Sequence, residues 1–97
     1  MKVLITAGTS AKAFKIKGSL IGKDILLGDY NEIPAFTNII KLPNPASDTY
    51  AHEMLTLSLD NSVESIYLLD DREWQVLQIS KQLFSEYNIE LINGCKL

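Results

Sequence analysis

Two short stretches gather side chains able to hold a ligand: Ala7–Ser10, within MKVLITAGTS, and Asp70–Glu73, within LLDDREW. In the first, an apolar run breaks into Gly8, Thr9 and Ser10, as a buried parallel strand does on entering a phosphate-binding turn. The free N–H groups of a helix starting there, with the two hydroxyls, could hold a carboxylate or phosphate. Equally, Thr9 and Ser10 could simply cap that helix. In the second stretch, Asp70, Asp71 and Glu73 offer paired carboxylates at a strand end, a pattern suited to Mg²⁺ or a ligand's amine. The same spacing fits a capping box, with Asp70 at the cap, Glu73 three residues on and Asp71 in the first turn favoured by the helix dipole.

A dinucleotide fingerprint needs G-x-G-x-x-G, where the second glycine admits the pyrophosphate and the third lets helix meet strand. From Gly8 the chain reads G-T-S-A-K-A, so Ser10 and Ala13 occupy the other two glycine places. Asp29, 21 residues after Gly8 at a strand end, stands where a ribose-binding acid would stand. An NAD(P)- or nucleotide-binding enzyme is therefore the alternative reading. A Walker phosphate loop is excluded, since no G-K-[ST] follows. A second alternative is a receiver-like signalling domain, but receivers gather acids after the first strand, where this chain has Thr6 to Ser10. One histidine, His52, and one cysteine, Cys95, make no metal-ligand set, no internal disulfide and no nucleophile pattern.

The elements that must position these residues follow from periodicity. Apolar runs predict strands at 3–7, 24–29, 38–43, 65–69 and 89–92, the first of them continuously apolar as in a buried parallel strand. Helical spacing predicts helices over 11–21 and from Ser47 to Asp60, the second burying Ala51, Met54, Leu55, Ser58 and Leu59. A third helix carries a stripe centred on Val76, Ile79, Ser80, Leu83 and Tyr87, with Leu77 and Phe84 at its margin. Trp74 falls opposite that stripe, an exposed position suggesting a pocket rim or subunit contact. Lys41 and Pro43 mark the third strand as a sheet edge. Strands alternating with helices imply an α/β fold: a three-layer, Rossmann-like parallel sheet of about five strands with helices on both faces. Ligands of such sheets sit beyond the carboxyl ends of the strands, which selects the loops at Ala7–Ser10, Asp29–Asn31, Pro43–Ser47 and Asp70–Glu73.

Ninety-seven residues suit one domain. The net charge of −3 argues against nucleic acid as a partner. That charge is uneven: residues 1–47 carry +3 and residues 48–97 carry −6. Lys12, Lys15, Lys17 and Lys23 fall in or just after the first helix, either as a solvated face or as a docking surface for an acidic partner. The opening apolar run is too short for a signal peptide or membrane span, so a cytoplasmic protein is expected. Three helices are too few to cover both faces of five strands, which implies exposed apolar surface and hence a homodimer or another partner.

Several stretches together resemble a known family. KVLITAG at 2–8, GDYNEIPAF at 28–36, KLP at 41–43, the segment 47–73 ending in LLDDRE, and NIELI at 88–92 are similar to the N-terminal, Rossmann-like "pre-ATP-grasp" domain of ATP-grasp ligases related to the carbamoyl-phosphate synthase large subunit. In that family the second strand ends in Asp and runs into an Asn-Pro-Ala-type loop, matched here by Asp29, Asn31, Pro34 and Ala35. The fourth strand is followed by Asp-x-Glu, matched by Asp71 and Glu73. An arginine common after the first glycine is replaced by Thr9, Ser10 and Ala11. The nucleotide-binding lysines and acidic magnesium ligands of the ATP-grasp portion have no counterpart in these 97 residues.

The resemblance implies a non-catalytic binding or accessory module, with a separately encoded ATP-grasp ligase or a second copy as partner and no cofactor or metal of its own. It further implies a small anionic or amino-acid-like ligand held by Gly8, Thr9, Ser10, Asp29, Asn31, Asp71 and Glu73, with Trp74 at the rim.

Overall fold

The computed structural model describes residues 2–8, 10–20, 22–31 and 39–94. Thr9, Glu32, Pro34, Ala35, Cys95 and Lys96 lie outside the described residues, as does Ile21 at the end of the first helix expected from the sequence.

The described strands are β1 (Lys2–Ile5), β2 (Asp24–Asp29), β3 (Ile39–Lys41), β4 (Val63–Leu68) and β5 (Glu90–Asn93). They form one sheet in the order β3-β2-β1-β4-β5, and every neighbouring pair is parallel. The α/β, Rossmann-like class expected from the sequence is the class observed. The helices are α1 (Ala11–Ser19), α2 (Tyr50–Asp60), α3 (Asp71–Leu77) and α4 (Lys81–Glu86), with a 3₁₀ turn at Gln78–Ser80 joining the last two.

Period-two alternation splits the strands between two cores. Leu4, Ile66, Leu68 and Leu91 point to the side covered by Met54 and Leu55 of α2, Leu77 of α3 and Phe84 of α4. Val3, Ile5 and Leu27 point to the other side, where Ala13 and Ile16 of α1 meet them. Right-handed crossovers require this: β1-α1-β2 runs one way along the sheet, whereas β3-α2-β4 and β4-α3-α4-β5 run the other way. The link from β2 to β3 carries no described helix, so α1 is alone on its face among the described residues.

β3 is an edge strand, as Lys41 suggested, and the Lys41 ammonium donates to the carbonyls of Tyr30 (2.7 Å) and Asn31 (3.0 Å), just past the end of β2. The first strand ends earlier than its apolar run. Thr6 and Ala7 fall outside it because Ala7 turns the chain with φ 51°, a left-handed conformation that is costly for a residue with a Cβ.

The last helical segment corrects the sequence reading. Leu77 and Phe84, expected at the margin of the stripe, are fully buried. Ile79 and Tyr87, expected at its centre, are 85% and 50% exposed. The buried line runs through Glu73, Leu77 and Phe84, with the half-buried Ser80 between the last two. Trp74, adjacent to that line, is half-buried and packs on the larger core rather than standing free in solvent. A glutamate on the inward line is what hid it from a reading based on hydrophobicity.

Candidate functional site

The crossover from β1 runs toward β2 whereas the one from β3 returns past β1 to β4, so the topological switch point lies between the carboxyl ends of β1 and β4. Thr6 occupies the base of that crevice. Its N–H donates to the Tyr67 carbonyl at 3.0 Å, and its hydroxyl oxygen accepts from Leu69 N–H at 2.9 Å. The strand ends are thus stitched together by a side chain that is itself fully buried.

Gly8 is explained by packing. Its N–H donates to the Gly28 carbonyl at 2.8 Å, and a Cβ there would lie 3.0 Å from Cβ of Leu27. The glycine lets the β1 turn lie against β2. Ser10 is the N-cap of α1, its hydroxyl accepting from Ala13 N–H at 3.2 Å. Asp29 is 1% exposed, and its Oδ1 accepts from both N–H (2.9 Å) and Nδ2 (3.2 Å) of Asn31, which is itself exposed. This local ring holds the turn after β2 and turns the acid inward, away from the open position a ribose would need.

Asp71 and Glu73, paired in the sequence, face apart. Asp71 is exposed in the first turn of α3, whereas Glu73 is 0% exposed. Asp70 does cap α3, with Oδ1 accepting from Arg72 N–H at 2.9 Å. The reciprocal half of the expected capping box is absent among the described residues. Instead Glu73 turns into the core, where its Oε2 accepts from the Tyr50 hydroxyl at 2.9 Å and its Oε1 has no hydrogen-bond partner.

Burial pushes the Glu73 carboxyl up to about 7, with the charges of Asp70 and Asp29 adding to the shift and the hydroxyls of Tyr50 and Thr6 opposing it. The Thr6 hydroxyl accepts from Leu69 N–H and keeps its own proton to donate; it is near enough to Glu73 to favour the charged form but does not reach hydrogen-bond geometry to Oε1. The phenol of Tyr50 is held protonated by the same burial and by Glu73.

Above this buried pair lies an open one. Tyr30, just past β2, donates its hydroxyl to Oδ2 of Asp70 at 2.8 Å. Arg72 donates from Nη2 to the same Tyr30 oxygen at 2.9 Å, with its guanidinium carbon 5.9 Å from the ring centroid. The hydrogen bond to Asp70, more than any other influence, raises the Tyr30 pKa. Asp70 therefore spends one oxygen on the α3 cap and the other on Tyr30. Arg72 is exposed and forms no ion pair among the described residues, so most of its fork of donors is open to solvent.

The structure thus brings Asp29 and Asp70 each within electrostatic reach of Glu73 at the strand tips, and sets Gly8 against Gly28 of β2. Tyr30, Tyr50 and Arg72 complete the arrangement, and sequence reasoning had singled out none of them for a role. Their only sequence signal is adjacency: Tyr30 follows Asp29, and Arg72 separates Asp71 from Glu73. His52 is exposed on α2, away from this cluster. Among the described residues, no group of three or more His, Cys, Asp or Glu is arranged to hold a metal ion, and no helix is long and apolar enough to cross a membrane. No family model matches the chain, and no curated protein matches it either.

Proposed function

We propose that this chain is a ligand-binding accessory module of the pre-ATP-grasp type, taking a small amino-acid-like molecule at the carboxyl ends of β1, β2 and β4. The observation that carries this reading is the Tyr30–Asp70–Arg72 linkage. It joins the tips of β2 and β4 and holds an exposed guanidinium with unused donors, and Asp71, the preceding residue in the chain, is exposed as well. A guanidinium recognises a carboxylate in two-pronged fashion, and an open Asp attracts an amine. The two together suit a molecule bearing both groups.

The accessory role is supported by how the remaining polar groups are used. Asp70 is consumed in a cap and a hydrogen bond, and Asp29 in a turn. Glu73 and Tyr50 are sealed in the core. General acid–base work needs a group within hydrogen-bond reach of substrate, and none of these four is presented that way.

Titration calorimetry with free L-amino acids, and with matched carboxylates lacking the amine, tests the reading. An amino acid should bind, the amine-free analogue should bind more weakly, and Arg72→Ala should weaken binding by about tenfold or more. Absence of heat from every amino acid, or unchanged binding in Arg72→Ala, would overturn it. Turnover of ATP with Mg²⁺ by the pure chain would overturn the accessory role.

The strand order β3-β2-β1-β4-β5 is also that of dinucleotide-binding sheets, which keeps a second reading in view. The enclosure of Asp29 weighs against it. Heat on titration with NAD(H) or NADP(H) would favour it.

A further inference from the structure

We infer that the groove between α1 and the side of β4 and β5 that no described helix covers is a docking site for an acidic amphipathic helix of a partner protein. The groove has a volume of about 740 Å³. Ile16 of α1 and Leu20 just past its end line one wall, Tyr67 of β4 and Ile92 of β5 line the floor, and Lys12 and Lys15 stand at the lip.

The layer geometry makes the space. Among the described residues, one helix packs on this face, over Val3, Ile5 and Leu27, whereas three segments pack on the other. Leu20, Tyr67 and Ile92 are consequently only half-buried, although each faces this layer. Neighbouring helices on a sheet lie about 10 Å apart, so the strip above β4 and β5 beside α1 is about one helix wide.

Charge selects the occupant. α1 carries Lys12, Lys15 and Lys17 and no acid, and none of the groove's lining residues is acidic. None of the three lysines forms an ion pair among the described residues, where the one ion pair is Lys23 to Glu64 at 3.4 Å. Glu90, two residues before Ile92 on the same side of β5, lies beyond the lining. An apolar stripe would cover Tyr67 and Ile92, and Asp or Glu along one flank would meet the lysines of α1. Such a helix satisfies both floor and lip; a basic one satisfies only the floor.

The test uses two labelled helical peptides of about 14 residues, sharing one Leu/Ala stripe and differing only in Glu or Lys flanks. Fluorescence anisotropy with the folded chain should show the Glu-flanked peptide binding about tenfold tighter than the Lys-flanked one at low salt, the margin shrinking at high salt. The surface double variant Lys12→Glu/Lys15→Glu, its fold checked by circular dichroism, should reverse the preference. Failure of the Glu-flanked peptide to bind, or equal binding of both peptides, would overturn the inference. So would light scattering that shows a dimer dispersed by Lys15→Glu, since a second copy would then own the groove. Because Arg72 lies outside this surface, failure here is distinguishable from failure of the ligand site.

Discussion

The Tyr50 hydroxyl donates to Oε2 of Glu73 at 2.9 Å, joining the first residue of α2 to the first turn of α3 inside the core. Both side chains are at most 1% exposed, so this is a polar contact held in a dry setting, and Oε1 of the same carboxylate goes unpaired. Ionised Glu73 is therefore costly to the fold, and that cost depends on pH.

The folded-state pKa of Glu73 is raised to about 7 from an ordinary 4.5. The native state then binds more protons than the unfolded chain between those values, so the contribution of Glu73 to stability is full below pH 4.5 and is lost as pH rises through about 7. The full loss is on the order of 3 kcal/mol. Urea denaturation across this range should show the decline in the native chain. Glu73→Gln, which cannot ionise, should remove most of it and raise stability at neutral pH.

Tyr50→Phe deletes the donor and leaves the whole carboxylate unpaired. Destabilisation of about 1–3 kcal/mol is expected at pH 7.5, with a smaller loss at pH 5, where the carboxyl is protonated. In the Glu73→Gln background the same substitution should cost less, and a double-mutant cycle measured by urea denaturation gives the coupling directly.

Two glycines should respond in opposite directions. A Cβ on Gly28 would fall 2.7 Å from Cδ2 and 2.8 Å from Cγ of Leu42, a side chain that is 2% exposed and has no room to retreat. Gly28→Ala should cost about 1–3 kcal/mol. Gly18, inside α1, has nothing within 4 Å of the same atom, so Gly18→Ala should stabilise by up to about 1 kcal/mol. Thermal melts followed by circular dichroism would rank both against the native chain.

Ser10 is a cap with an identified acceptor role, and α1 is short. Ser10→Ala should lower stability by about 1 kcal/mol, whereas Ser10→Asp should keep the cap and add a favourable charge at the helix start. If an anionic ligand used these N–H groups, Ser10→Asp would weaken its binding while stabilising the protein. Paired melting and calorimetry separate the two roles.

The sequence by itself determined the architecture. Continuous apolar runs at β1 and β2, the edge character around Lys41 and the helical spacing of α2 are local signals, each set by the transfer preference of neighbouring side chains. Alternation of strand and helix, with right-handed crossovers, then leaves few ways to order the sheet. The same reasoning found the ends of β1, β2 and β4, and with them Gly8, Ser10, Asp29, Asp71 and Glu73.

What only the tertiary structure decided is how those residues are used. Asp71 and Glu73 sit two positions apart, so a helix turns them to different sides, and no local rule says which one goes inward. Glu73 faces the core because Tyr50, 23 residues earlier in the chain, supplies a buried donor. That same choice rolls the last helical segment so that Leu77 and Phe84 are buried and Ile79 is exposed. Periodicity measures hydrophobicity one residue at a time. A carboxylate made tolerable by a distant hydroxyl carries no such mark, because its stabilisation is a property of the pair.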